Sequence, residues 1–137
     1  MGIQTAVAYV QGLAQNLTGM REALAVPPEQ INAFPAAMCY PATGEFRAGP
    51  LGMIRGLHSL VVEIHVARVD LPRDIALALP FGEMLAAAVL ADPRLGGTVD
   101  TVRADEGLSY TFGALAWGGQ ATVGWRITIP VKIQTTL

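Results

Sequence analysis

His58, Glu63 and His65 are the residues of this sequence whose types come closest to a metal-ligand set. On an extended strand Glu63 and His65, two apart, share a face, whereas His58, seven residues before His65, falls on the opposite one. Zinc needs three or four converging ligands, and the single cysteine, Cys39, is remote in sequence. The spacing therefore predicts no metal site, and the plainer expectation is a polar outer face on a central strand. Asp70, Asp74 and Glu83 could supply paired carboxylates, but the preference of acidic side chains for helix starts accounts for Asp70 and Asp74. Gly96-Gly97-Thr98 has the composition of a phosphate loop. It leads into a strand, so no helix N-terminus would receive the anion, and a turn is expected. Nucleophile-elbow, Walker A and dinucleotide-binding glycine patterns are absent. The reading is of a non-enzymatic chain with no catalytic, cofactor-binding or metal-binding residues. A small α+β enzyme or ligand-binding domain would need an organised pocket around Glu63, His65 and Arg126.

Composition points toward assembly. The chain has 137 residues, about one domain's worth, and is read as a single domain spanning 1–137. Apolar residues make up 52 % and charged residues only 15 %, against about 25 % in an average soluble domain. So small a chain exposes much of its area, and the expectation is that other subunits cover part of it. Net charge is −2, from nine basic and eleven acidic residues, with no basic stripe for specific nucleic-acid binding. One cysteine excludes an internal disulfide framework, and Cys39 reads as a buried small hydrophobe. The N-terminus lacks the basic start of a signal peptide. The longest uncharged run, Gly107 to Trp125, alternates with period two and carries four internal glycines, which marks strands and not a membrane helix.

The positioning elements follow from periodicity. Ile3, Ala6, Val7, Val10, Leu13, Ala14, Leu17, Met20 and Leu24 recur at helical spacing, predicting a long N-terminal helix stopped by Pro27 and Pro28. Its Gln-rich opposite face, with Gln4, Gln11 and Gln15, suits either a neighbour or solvent. Ala33 to Tyr40 predicts a short edge strand, because Pro35 cannot donate to a ladder. Tyr40 to Gly56 predicts a long Pro- and Gly-rich loop, of the kind that is usually functional. Leu57 to Val69 predicts a strand with Leu60, Val62, Ile64 and Val66 on one face and Ser59, Val61, Glu63, His65 and Ala67 on the other. Asp70 and Pro72 open a helix that Pro80 divides, giving a helix pair whose second member, Phe81 to Ala91, buries Phe81, Met84, Leu85, Ala88 and Val89. Asp92-Pro93 ends it. Strands are predicted at Thr98 to Ala104 and Ser109 to Trp117. Gly118-Gly119 then forms a hairpin turn, and a last strand alternates from Gln120 to Gln134. Straight, that strand would extend roughly 45–50 Å at about 3.3 Å per residue, beyond the diameter of about 37 Å for a domain of this size. It must bend, at Gly124 or Pro130, or project as a hairpin whose open edge could accept another chain. Pro130 predicts an edge or bulge. The predicted class is α+β: a mainly antiparallel β-sheet, a long N-terminal helix, a central helix pair on one face and a long C-terminal β-hairpin.

The order of these elements, above all His58-Ser-Leu-Val-Val-Glu-Ile-His-Val66 leading into Asp70-Leu-Pro72, Leu79-Pro80 and then Ala91-Asp-Pro-Arg-Leu-Gly-Gly-Thr-Val99, resembles the tail terminator proteins of long-tailed bacteriophages and gene transfer agents. These are also called tail completion or tail-to-head joining proteins. The resemblance covers Ile3 to Ile133. It implies a virion protein, assembled in the host cytoplasm, that forms a homo-oligomeric ring, commonly a hexamer. Such a ring caps the tail tube, stops its growth and joins the neck (stopper) protein, while DNA passes through the lumen without specific binding. It implies no cofactor, no membrane and no catalytic residue. Another neck component such as a stopper is the structural alternative, although the N-terminal helix argues against it. The candidate contact residues are Glu45, Phe46, Arg47 and Arg55 on the long loop, with Trp117, Gln120, Arg126 and Lys132 on the hairpin.

Overall fold

In this computed structural model residues 2–24 and 26–136 are described; Met1, Ala25 and Leu137 lie outside them. Two helices and seven strands follow the order α1 (Ile3–Gln15), β1 (Glu22–Leu24), β2 (Ala36–Gly44), β3 (Arg47–Ala48), β4 (Met53–Ala67), α2 (Leu71–Leu90), β5 (Thr101–Val102), β6 (Ser109–Trp117) and β7 (Gln120–Thr136). The sheet runs β1-β2-β4-β7-β5, with β3 beside β4 and β6 beside β7. Every pairing is antiparallel except β1 with β2. The class is α+β, as the periodicity predicts.

The centre is the ladder between β4 and β7, in register from Met53↔Thr136 to Ala67↔Thr122. Alternation places Leu60, Val62 and Ile64 with Trp125, Ile127, Ile129 and Val131 on one face. There they pack under Ala6, Val7, Val10 and Ala14 of α1 and Phe81, Leu85 and Val89 of α2. Pro130 does not make β7 an edge strand, as its missing N–H suggested. It sits opposite Ser59 inside the ladder, and its carbonyl accepts from Arg103 N–H on the far side of β7. A residue of an antiparallel strand points its N–H and C=O the same way. The absent donor thus faces the gap between β5 and β6, and the β4 ladder loses nothing.

Several local readings are corrected. The N-terminal helix stops at Gln15, because Asn16 caps it and Gly19 takes a positive φ of 90°. Leu17 and Met20 still reach the core from the turn, and Leu24 lies in a strand. The Ala33 to Tyr40 segment begins its strand only after Pro35, and that strand is internal, between β1 and β4. Most of the supposed 40–56 loop is β-structure: β2 passes through a bulge between Pro41 and Thr43 and runs on to Gly44, β3 pairs with β4, and one 3₁₀ turn spans Pro50–Gly52. The strand expected from Thr98 to Ala104 shrinks to two residues, because Leu95–Gly97 forms a 3₁₀ turn and Arg103 already bonds to Glu106 in the next one.

The central helix pair is one helix. Proline inside a helix costs about 3 kcal/mol. Here Asp74 and Ala78 before Pro80, and Phe81, Leu85 and Val89 after it, keep one buried stripe, so packing outweighs the lost bond. The Asp70 side chain makes no capping bond. Instead buried Asp74 reaches back, and its Oδ2 accepts from the N–H of Val69 (2.6 Å) and of Asp70 (2.8 Å). At the far end of α2, Asp92 accepts from the Tyr9 hydroxyl at 2.6 Å and Gly96 N–H at 2.9 Å, tying α1 to the turn. The Tyr9 bond, then Gly96, holds the Asp92 carboxyl below its ordinary value.

Gly82 sets how closely α2 approaches the sheet. A β-carbon there would stand 2.5–2.7 Å from three atoms of the Trp125 indole. That ring is pinned by its Nε1–H donating to Ala78 O at 2.8 Å and by Tyr110 and Phe112, with ring centroids 5.0 and 4.8 Å away. Gly82→Ala should gain about 1 kcal/mol of helix propensity and lose more to overpacking, for a net loss of about 1–3 kcal/mol. Urea unfolding checks this, and a variant as stable as the parent would show that the ring can yield.

Candidate assembly interface

The second face of the sheet carries the titratable residues that the sequence singles out. Strand parity puts Tyr40 of β2, Glu63 and His65 of β4, and Thr122 of β7 on it together. The Tyr40 hydroxyl donates to Glu63, whose other carboxylate oxygen lies 3.0 Å from His65 Nε2, and His65 Nδ1 lies 2.6 Å from the Thr122 hydroxyl. With Glu63 ionised, Nε2 carries the hydrogen that faces it. Trp117 lies edge-on to His65, centroids 6.4 Å apart, and equally near Tyr40. It therefore reaches from β6 across β7 and β4, so the sheet curls over this face. Its Nε1–H donates to Pro28 O at 2.6 Å.

The expected polar outer face is consequently buried, with Glu63 5 % and His65 0 % exposed. Burial pushes the Glu63 carboxyl up, but the hydrogen bonds from His65 and Tyr40, with the charges of His65 and Arg126, outweigh it and hold it below its ordinary value. Burial, reinforced by Glu63, raises the Tyr40 phenol to about 12, and burial alone raises the Cys39 thiol to about 12. Both nitrogens of His65 are engaged within the chain. No buried side-chain nitrogen or oxygen among the described residues lacks a partner. A relay of this kind has no free atom to offer a substrate; what it can do is hold three strands in register. Among the described residues no three of His, Cys, Asp and Glu gather to hold a metal. His58 lies seven residues down β4, about 23 Å at about 3.3 Å per residue. There it stacks against Phe46 at 5.1 Å, and burial lowers its pKa against the opposing pull of Glu45.

The edges of the sheet are treated unequally. At β1, Gln11 Nε2 donates to Ala23 O (2.7 Å) and Gln15 Oε1 accepts from Ala23 N–H (3.0 Å); part of the Gln-rich face of α1 thus closes its own sheet. At β5, Val102 N–H bonds to Pro93 O. β3 is two residues long. β2 is uncovered beyond Met38, over six residues that include Pro41. Among the described residues β6 is the longest open edge: nine residues, paired with β7 alone, with no backbone hydrogen bond closing its outer side. It carries no charge and no proline, the devices that ordinarily block edge pairing. Beyond the sheet, the outer side of α2 is apolar. Leu71, Leu77, Leu79 and Leu90 are 42–53 % exposed beside exposed Ala76, Pro80 and Ala87. No helix of the described residues is long and apolar enough to cross a membrane.

The eight expected contact residues separate into three groups. Glu45, Arg47, Arg55 and Lys132 line one cleft at the base of β3, while Phe46, 72 % exposed, lies on the opposite face against His58. Trp117 and Gln120 are committed internally, Gln120 Oε1 accepting from Ile31 N–H at 3.1 Å, so they brace the 28–31 segment. Arg126 stands exposed opposite Glu63. Spacing did not disclose Thr122, the Ala23 cap or the outer face of α2. The scarcity of charge on α2, which has only Arg73, Asp74 and Glu83, was the available signal for the last of these.

The lowered Glu63 pKa has a defined sign. A depressed carboxyl contributes stability that is complete above its unfolded value of about 4.3 and is lost as the pH falls through the lower folded value. Glu63→Gln should cost about 1–3 kcal/mol at neutral pH by breaking the chain of bonds, and the deficit should shrink as the pH drops below about 4. Urea unfolding at neutral and acid pH checks this, and a deficit independent of pH would remove Glu63 ionisation from the account.

The sequence matches no family model and no curated protein, so its function is argued from these surfaces.

Proposed function

We propose that this chain is a structural subunit that works by joining copies of itself into a ring, in the manner of a tail terminator. The observation that carries this reading is the unpaired edge of β6, nine residues with neither charge nor proline and the longest open edge among the described residues. An edge of nine residues can add a strand from a neighbour, each partner satisfying the other's backbone groups. The apolar outer side of α2 adds surface that association would remove from water at roughly 25 cal/mol per Å². The element order fits what the resemblance implies in a first helix, a mainly antiparallel sheet and strands to the end, with one continuous helix where the resemblance implies a helix pair. In this reading the ring caps the tail tube, meets the neck protein on its other side and passes DNA through its lumen without specific contacts. The place of action is the virion, after assembly in the host cytoplasm. An enzymatic or ligand-binding role centred on Glu63, His65 and Arg126 is less favoured, because the Tyr40–Glu63–His65–Thr122 chain is closed on itself.

Ser109 and Thr111 are exposed on β6, and lysines there should bar strand addition while leaving the fold intact. The parent should sediment as a ring, or as a species that binds tail tubes. The Ser109→Lys, Thr111→Lys variant should sediment as a monomer with an unchanged circular dichroism spectrum. A parent that stays monomeric and ignores tubes, or a variant that assembles as well as the parent, would overturn the proposal.

A further inference from the structure

At the foot of the sheet three cations converge with little to neutralise them. Arg47 of β3 stands directly opposite Arg55 of β4. Two residues further along β4, Leu57 faces Lys132 of β7, so strand parity sets Arg47, Arg55 and Lys132 on one face. With Glu45, Gly56 and Leu57 they line an open cleft of about 240 Å³. Glu45 is committed to Arg47 at 2.7 Å; Arg55 and Lys132 have no carboxylate partner among the described residues. Three cations to one carboxylate leave a local charge of +2 on a chain whose net charge is −2. Like charges directly opposite on neighbouring strands destabilise a sheet, and among the described residues only Glu45, through Arg47, offsets this.

The lining is partly apolar, for Leu57, 38 % exposed, stands among the cations. Phe46, 72 % exposed, lies on the opposite face against His58, and Leu51, at the tip of the arm, is 97 % exposed. Leu51 holds a positive φ of 57°, a rare conformation for a branched side chain. Guanidinium groups beside exposed apolar surface suit a protein partner, whereas nucleic-acid surfaces extend as basic stripes. Arg103, the next cation along the sheet, is already paired with Glu106.

We propose that this cleft docks an acidic, partly apolar peptide segment of a partner protein, its carboxylates meeting Arg55 and Lys132 and its apolar side chains meeting Leu57. The carboxylates would supply the counter-charge that Arg55 and Lys132 lack, and guanidinium forks bind carboxylates through paired hydrogen bonds. The site is distinct from the β6 edge, so it goes beyond ring formation and does not depend on it.

The test is fluorescence anisotropy of the intact protein at about 50 mM NaCl, where screening is weak. It uses three labelled probes: a peptide of about ten alternating Asp and Leu residues, its Asn-for-Asp counterpart, and an oligothymidine of about ten nucleotides. The Asp peptide should bind at least about tenfold more tightly than either other probe and weaken as salt rises. Its affinity should fall about tenfold or more in the Arg55→Gln, Lys132→Gln variant and stay unchanged in Arg21→Gln, a charge removed far from the cleft. Equal binding of the Asn peptide, tighter binding of the oligothymidine, or an Asp peptide insensitive to the double variant would each overturn the proposal. Peptide capture is scored whether the protein sediments as a monomer or a ring, so failure here leaves the assembly reading intact, and the converse holds.

Discussion

The pairing of β4 with β7 over the full length of β4 is the constraint on which everything else rests. β2 and β3 attach to one side of this ladder, β5 and β6 to the other, and both helices pack on one face of it. A slip of one residue would exchange the faces. Leu60, Val62 and Ile64 would then leave the core, and Glu63 and His65 would enter it without their partners. The hydrogen-bonded chain from Tyr40 to Thr122 crosses β2, β4 and β7 and is complete only in the observed register. Apolar burial supplies the larger stabilisation, while the polar chain selects one register among those that burial alone would tolerate.

A ladder of this length also explains the shape. Two strands of 15 and 17 residues outrun the span that two helices can cover. The excess appears at one end as the β3 arm and along one side as β6. These are the places where surface remains unsatisfied: backbone groups on β6, and charge on the arm. The low charge content of the chain follows from the same geometry, since the outer sides of α2 and β6 are uncharged or nearly so although they face away from the chain's own core.

What the sequence disclosed follows from which forces act locally. Period-two alternation in β4, β6 and β7 survived because each strand has one face on the core. Gly118-Gly119 marked its turn because both residues need positive φ. Helix continuity was misread at both helices, for opposite reasons. The apolar spacing of Leu17, Met20 and Leu24 imitates a helix that Gly19 has already ended. Pro80 imitates a break that the stripe from Asp74 to Val89 bridges. Both outcomes depend on tertiary packing, which outweighs local propensities worth a few kcal/mol. The candidate contact residues on the arm were legible as a group because Glu45, Arg47 and Arg55 lie close in sequence. Lys132 joins them only through the β4–β7 register, and Trp117 and Gln120 proved internal because their partners, Pro28 and Ile31, lie 89 residues away.

Two clusters of ionisable side chains lie at opposite ends of β4, and the contrast between them separates architecture from recognition. Around Glu63 every donor has an acceptor, the groups are buried, and Trp117 lies across them. Adding a ligand there would break bonds already made, at a cost of about 1–3 kcal/mol for each group left unpaired. Around Arg55 the groups are exposed, mostly of one sign and short of acceptors, so an acidic partner would add bonds and displace only water. A strand that is internally paired and closed at one end and charged and open at the other can keep its register while it exchanges partners, which is what the proposed subunit would need in order to join others without refolding.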